Sequence, residues 1–234
     1  MDTGCIFRFQ WAHWPWWLAG AVVGLWLVPL ARSIPRKVLR RARVSVHAWQ
    51  GPGGGIVSTV PPVRRIWVPL TNAALWACAA CSAGGTLSWS ALADACLSST
   101  LLLLALIDWD TTMLPDLVVL PLAAAGLVAS HAGLTPHTLL EAAASAVVVP
   151  GIMGGLALVF RRFSGQCGIG GGDLKLLGAL AAWWGAADVL YVLVLASMVT
   201  VAWYLSWRLF NGSSARAEWP FGPAIAVAAL AWHL

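Results

Sequence analysis

Long apolar runs separated by short polar breaks recur along the chain, near residues 16–31, 68–84, 89–107, 117–133, 138–160, 174–187, 188–207 and 221–234. Roughly 17–25 apolar residues suffice to cross a bilayer as a helix. In lipid the backbone must satisfy its own hydrogen bonds, and a helix does so. The pattern predicts an all-α polytopic membrane protein with about eight transmembrane helices. The sixth and eighth runs are short, and their ends are the least defined. The first run has no basic segment before it, and Pro29 and Arg32 follow it in place of a small-residue cleavage site. It therefore reads as a retained span and not as a signal peptide.

Composition agrees. The chain is 60% hydrophobic and 10% charged, against about 25% charged for a soluble domain, and its mean hydropathy is +0.79. The few charges are placed asymmetrically. With the N-terminus outside, the breaks at 32–67, 108–116, 161–173 and 208–220 face the cytoplasm, and all Lys and Arg residues except Arg8 fall in them or at their edges. That is a positive-inside distribution. The basic runs, Arg36, Lys37, Arg40, Arg41, Arg43, Arg64 and Arg65 among them, read as topology anchors with attraction to anionic membrane lipid. Nucleic acid is not an expected partner. The segment 36–66, with Gly51 to Gly55 and Pro61-Pro62, reads as an irregular loop. The sixteen tryptophans, several at span ends (Trp14, Trp67, Trp89, Trp219), read as interfacial belts. The five cysteines, Cys5, Cys78, Cys81, Cys96 and Cys167, form no disulfide framework, and the lone C-x-x-C lies inside an apolar run. The histidines show no metal spacing, so no metal is expected.

Two polar islands interrupt the apolar pattern: Asp108-Trp-Asp110-Thr-Thr-Met-Leu-Pro-Asp116 and Gly168-Ile-Gly170-Gly-Gly172-Asp173-Leu-Lys175. They hold four of the nine acidic residues. Carboxylates at membrane depth are costly and mark candidate functional sites. In the topology above, Asp108 ends the third span and Asp173 opens the sixth, both on the cytoplasmic side, so two sequence-distant carboxylates share one depth. Peptide hydrolysis by two aspartates needs one ionised and one protonated. Two carboxylates about 3 Å apart hold a single proton between them and titrate as a unit. Glycines such as Gly170 and Gly172 would admit close backbone approach, by substrate or by a partner helix. Lys175 is placed to pair with a carboxylate or a lipid phosphate, which would bias that ionisation. The plain alternatives are a glycine-rich turn with Asp173 as helix N-cap, a tight interfacial loop broken by Pro115, and a transporter with a midplane carboxylate pair.

At this point the residues resemble a family, the type IV prepilin leader peptidases, which are membrane aspartic proteases of the G-x-G-D kind. Three segments carry the resemblance. They are Asp108-x-Asp110 with Leu114-Pro115-Asp116; Gly168-x-Gly170-x-Gly172-Asp173-x-Lys175; and Pro220-Phe221-Gly222-Pro223. It covers roughly residues 100–234. The resemblance implies catalysis by Asp108 and Asp173, with Asp110 as the fallback for the first. Asp116 would shape the loop or contact substrate, and Asp110 and Asp116 would attract a basic leader. It implies prepilin or pseudopilin substrates cut on the cytoplasmic face of a bacterial inner membrane, with no cofactor. Many members also N-methylate the new terminus. Here Val28 stands where an asparagine is usual and Ser33 where an arginine is usual, and the paired C-x-x-C tetrad with its structural zinc is lacking. Peptidase activity without methyltransferase activity is the expectation. Residues 1–67 would be a degenerate methyltransferase-like region and 68–234 the peptidase domain. The competing class is a catalytically inactive homologue serving pilus or secretion assembly. A presenilin-like relative shares G-x-G-D, but no Tyr-Asp or Pro-Ala-Leu motif accompanies it.

Overall fold

The computed structural model describes residues 14–45, 59–84, 88–165, 169–211 and 220–233. Cys5, Arg8, His13, His47, the glycines of 51–55, Cys167, Gly168 and Trp219, all drawn on above, lie outside the described residues. Among the described residues the chain forms seven α-helices and no strand: α1 (Trp14–Arg41), α2 (Arg64–Ser82), α3 (Trp89–Thr111), α4 (Asp116–His131), α5 (Leu139–Ser164), α6 (Gly171–Asn211) and α7 (Phe221–His233). Four of these, α1, α3, α5 and α6, are long and apolar enough to cross a membrane. The chain divides into two compact units, one built on residues up to Thr111 and one from Thr112 to Trp232.

One expectation is corrected. The expected loop starting at 36 begins as helix, because α1 continues to Arg41. Its charged second half hides a stripe spaced four residues apart, Ala31, Pro35 and Leu39, which is buried and keeps the helix against its neighbours. The runs 174–187 and 188–207 together make α6, two helices that meet at a break at Gly185, whose φ of 78° and ψ of 173° are not helical. No polar loop separates these two runs. The carbonyl oxygen of Trp184, at the break, accepts a hydrogen bond from His137 Nε2 at 2.7 Å.

In the first unit, later residues of α1 meet earlier residues of α2, so the two run antiparallel. Gly20 and Gly24 allow it. A Cβ on Gly20 would fall 2.8 Å from Ala73 Cα, and one on Gly24 would fall 2.5 Å from Pro69 Cα. Small residues four apart bring helix backbones together in this way. A buried polar chain joins all three helices. Trp76 Nε1 donates to Ser99 Oγ (2.8 Å), Ser99 Oγ to Asn72 Oδ1 (2.8 Å), and Asn72 Nδ2 to the Gly20 carbonyl oxygen (2.7 Å). Asn72 is fully buried. Such a network is held only because its members are satisfied.

In the second unit, α5 begins with a capping box in which Thr138 and Glu141 bond each other's backbone N–H. It ends on Gly165 in the left-handed conformation, with Arg161 and Arg162 in the last turn, where cations complement the helix dipole. Gly154 faces Leu174, and Gly178 faces Ala146 and Pro150, so α5 runs antiparallel to the first half of α6. Trp183 Nε1 donates to the Leu122 carbonyl oxygen (2.9 Å), and the loop before α4 meets the start of α6, so α4 runs parallel to that half. The rings of Tyr191 and Trp232 stack at 5.1 Å, joining α7 to the second half.

Candidate active site

The end of the first polar island opens α4, and the second island, from Gly170 on, opens α6 beside it. Pro115 sits at the N-cap of α4 in extended conformation, the position where a missing N–H does no harm. Asp116 follows in the first turn, and a carboxylate there is favoured by the helix dipole. On α6, Gly170 precedes the helix and Asp173 lies in its first turn. The Asp173 carboxylate accepts the Gly170 backbone N–H, and a Cβ on Gly170 would fall 3.0 Å from Asp173 Oδ2. Asp173 is thus not the N-cap itself. It reaches back to the cap as the acid of a capping box does. A Cβ on Gly172 would fall 3.0 Å from Leu114 Cβ, so this glycine admits the loop before α4.

Lys175 pairs with a carboxylate, as expected, and the partner is Asp116. Its Nζ donates to Oδ1 at 2.7 Å and to Oδ2 at 2.8 Å, with both side chains about half exposed. This bond ties the start of α4 to the start of α6 and leaves Asp116 engaged with a cation of its own chain.

The first residues of the first island, Asp108 to Thr111, close α3. Asp108 is buried, with 4% of its surface exposed, and Asp110 is completely buried. Arg64 Nη1, on the first turn of α2, donates to Asp110 Oδ2 at 2.6 Å. Arg32 Nε, on α1, lies 3.8 Å from the same oxygen. Both arginines are 7% exposed. This corrects two expectations. Asp110, buried between two guanidiniums, does not present charge to a basic leader. Arg64, grouped above with the lipid-facing anchors, is inside the protein. Sequence reading missed Arg32 and Arg64 as site neighbours. A usable signal was present: a carboxylate in the last turn of an apolar helix needs a counter-ion, and Arg64 opens the neighbouring helix at the matching end.

The structure brings together Gly170 with Asp173, Gly172 with Leu114, and Lys175 with Asp116 in the second unit, and Asp110 with Arg64 and Arg32 in the first. Asp108 belongs to the first unit and Asp173 to the second. Among the described residues no three His, Cys, Asp or Glu side chains gather as a metal site would require.

Comparison with known proteins places both islands inside one matched segment. Residues 95–205 match the model of the type IV leader peptidase family. A prepilin leader peptidase/N-methyltransferase of Pseudomonas aeruginosa is 37% identical over 154 residues, covering 62% of this chain and 51% of the relative. The protein of the same description from Aeromonas salmonicida is 35% identical over 151 residues, 63% of this chain and 51% of the relative. That of Neisseria gonorrhoeae is 33% identical over 141 residues, 60% of this chain and 47% of the relative. The chain spans about half the length of these relatives. No solved structure matches it. Two of the three segments that carry the resemblance, the aspartate islands, lie inside the matched residues, and Pro220-Phe221-Gly222-Pro223 lies beyond them.

Proposed function

We propose that this chain is a membrane aspartic endopeptidase that removes the basic leader from type IV prepilin-like or pseudopilin substrates. It would act at the cytoplasmic face of a bacterial inner membrane. The observation that carries the reading is the pair of aspartates inside the matched segment, one almost fully buried at the end of α3 and one at the glycine-bounded start of α6. A carboxylate at that depth is functional by default. In this reading Asp108 and Asp173 share one proton. The ionised carboxylate takes a proton from water as its oxygen bonds to the scissile carbonyl carbon. The protonated one donates to the carbonyl oxygen. Collapse of the tetrahedral intermediate breaks the C–N bond, and the amine leaves with a proton. Gly170, Gly172, Asp116 and Lys175 hold the start of α6 in place. Counting α6 as two halves, the chain would have about eight membrane segments.

We further propose that N-methylation is lost. Val28 and Ser33 stand where the bifunctional relatives carry asparagine and arginine, and neither makes the same hydrogen bonds. Residues 1–67 would then be a degenerate methyltransferase-like region and 68–234 the peptidase domain. The same two departures favour the second reading, an inactive homologue that assists pilus or secretion assembly. One experiment separates the readings. A prepilin is co-expressed with the chain, and the mature N-terminus is read by mass spectrometry. A trimmed, unmethylated terminus is expected. A trimmed and methylated terminus refutes the loss of methyl transfer, and an untrimmed one favours the assembly role.

A further inference from the structure

Apolar packing does not set the rotation of α3 about its own axis. Leu101, Leu102, Leu103 and Leu104 are consecutive and all buried, so every face of the helix is apolar and no stripe specifies which way it points. Polar contacts supply what the leucines lack. Ser99 bonds Asn72 and Trp76 of α2. Asp110, three turns further along the same face, bonds Arg64 of α2 at 2.6 Å and faces Arg32 of α1 at 3.8 Å. Asp108 is two residues before Asp110, about 200° round the helix from it. Pinning Asp110 to the two arginines therefore fixes the direction in which Asp108 leaves α3.

We infer that Arg64 and Arg32 are positioning residues for Asp108, acting through Asp110, and that α1 and α2 serve as a brace for the catalytic end of α3. This rests on the peptidase reading above. It also gives the N-terminal helices a use that needs no methyl transfer. A buried ion pair is a poor source of stability compared with apolar residues of similar volume, and its best-attested use is to fix register.

The test is steady-state cleavage of a prepilin by the purified full chain, with thermal melting of each variant alongside. Arg64→Met is expected to lower kcat by about 10²-fold, the scale of a 1 Å misplacement, with KM unchanged. Arg64→Lys, which keeps the charge but not the fork, should recover part of that loss. The double variant Arg64→Met/Asp110→Leu removes both charges. It should melt as the wild type does while kcat stays low. A folded Arg64→Met with wild-type kcat overturns the inference. So does a double variant that regains both melting temperature and kcat, since the pair would then serve stability alone. If Arg64→Met does not fold, the double variant decides. A wild type that cuts no prepilin overturns the peptidase reading and this inference with it. A wild type that cuts, with variants that cut equally well, overturns the inference alone.

Discussion

Lys175 holds both carboxylate oxygens of Asp116, at 2.7 and 2.8 Å, across 59 residues of sequence. Both side chains are half exposed, and ion pairs in that setting contribute about 0–1 kcal/mol. Lys175→Met and Asp116→Asn should therefore each lower stability by less than about 1 kcal/mol. Chemical or thermal denaturation in detergent measures this. A loss of several kcal/mol would mean that the pair organises the unit far beyond its own bond.

Gly185 is a position where the fold leaves little choice. Its backbone lies in a region that other residues rarely adopt, and a Cβ there would fall 2.9 Å from the His137 ring. Gly185→Ala should cost about 1–3 kcal/mol for the backbone alone, with the clash in addition. His137→Ala leaves the Trp184 carbonyl without this donor and should cost about 1–3 kcal/mol. If the ring clash matters, Gly185→Ala in the His137→Ala background should cost less than in the wild type. Equal costs in both backgrounds would place the whole effect in the backbone.

The α1–α2 contact makes a paired prediction. Gly24→Ala pushes against Pro69 backbone at 2.5 Å, while Gly151 of α5 has open space where its Cβ would go. Gly24→Ala should destabilise by about 1–3 kcal/mol. Gly151→Ala should be neutral or stabilise by up to about 1 kcal/mol, the helix-propensity gain. Melting curves of the two variants, compared directly, check the contrast.

Much of this was legible in the sequence, and the failures have physical causes. Helical runs follow from hydropathy alone, which is why α3 and α4 begin within a residue of where the pattern places them. High average polarity places residues 32–41 outside the first span. The helix follows instead from burial of Ala31, Pro35 and Leu39, a stripe that window averaging dilutes. Hydropathy puts the joint between the sixth and seventh runs at 187/188, two residues past the break at Gly185, and gives no hint that His137 bonds the carbonyl there. At the site, Asp108, Asp110, Asp116 and Asp173 were all visible as charges that an apolar chain has no other reason to keep. Their partners were less visible. Lys175 lies two residues from Asp173, yet it pairs with Asp116. Arg64 looked like one member of a basic run until packing put it against Asp110. Sequence shows which groups are costly to bury, and only the packing shows which group relieves which.

The measurement that tests the central claim most directly is cleavage of a prepilin by wild type, Asp108→Asn, Asp173→Asn and Asp110→Asn, followed as loss of the leader. Asparagine keeps the size of each side chain and removes its acid–base chemistry. Wild type should cut, Asp108→Asn and Asp173→Asn should not, and Asp110→Asn should cut slowly because it weakens the brace without removing a reacting group. Cleavage at the wild-type rate by either Asp108→Asn or Asp173→Asn would contradict the account.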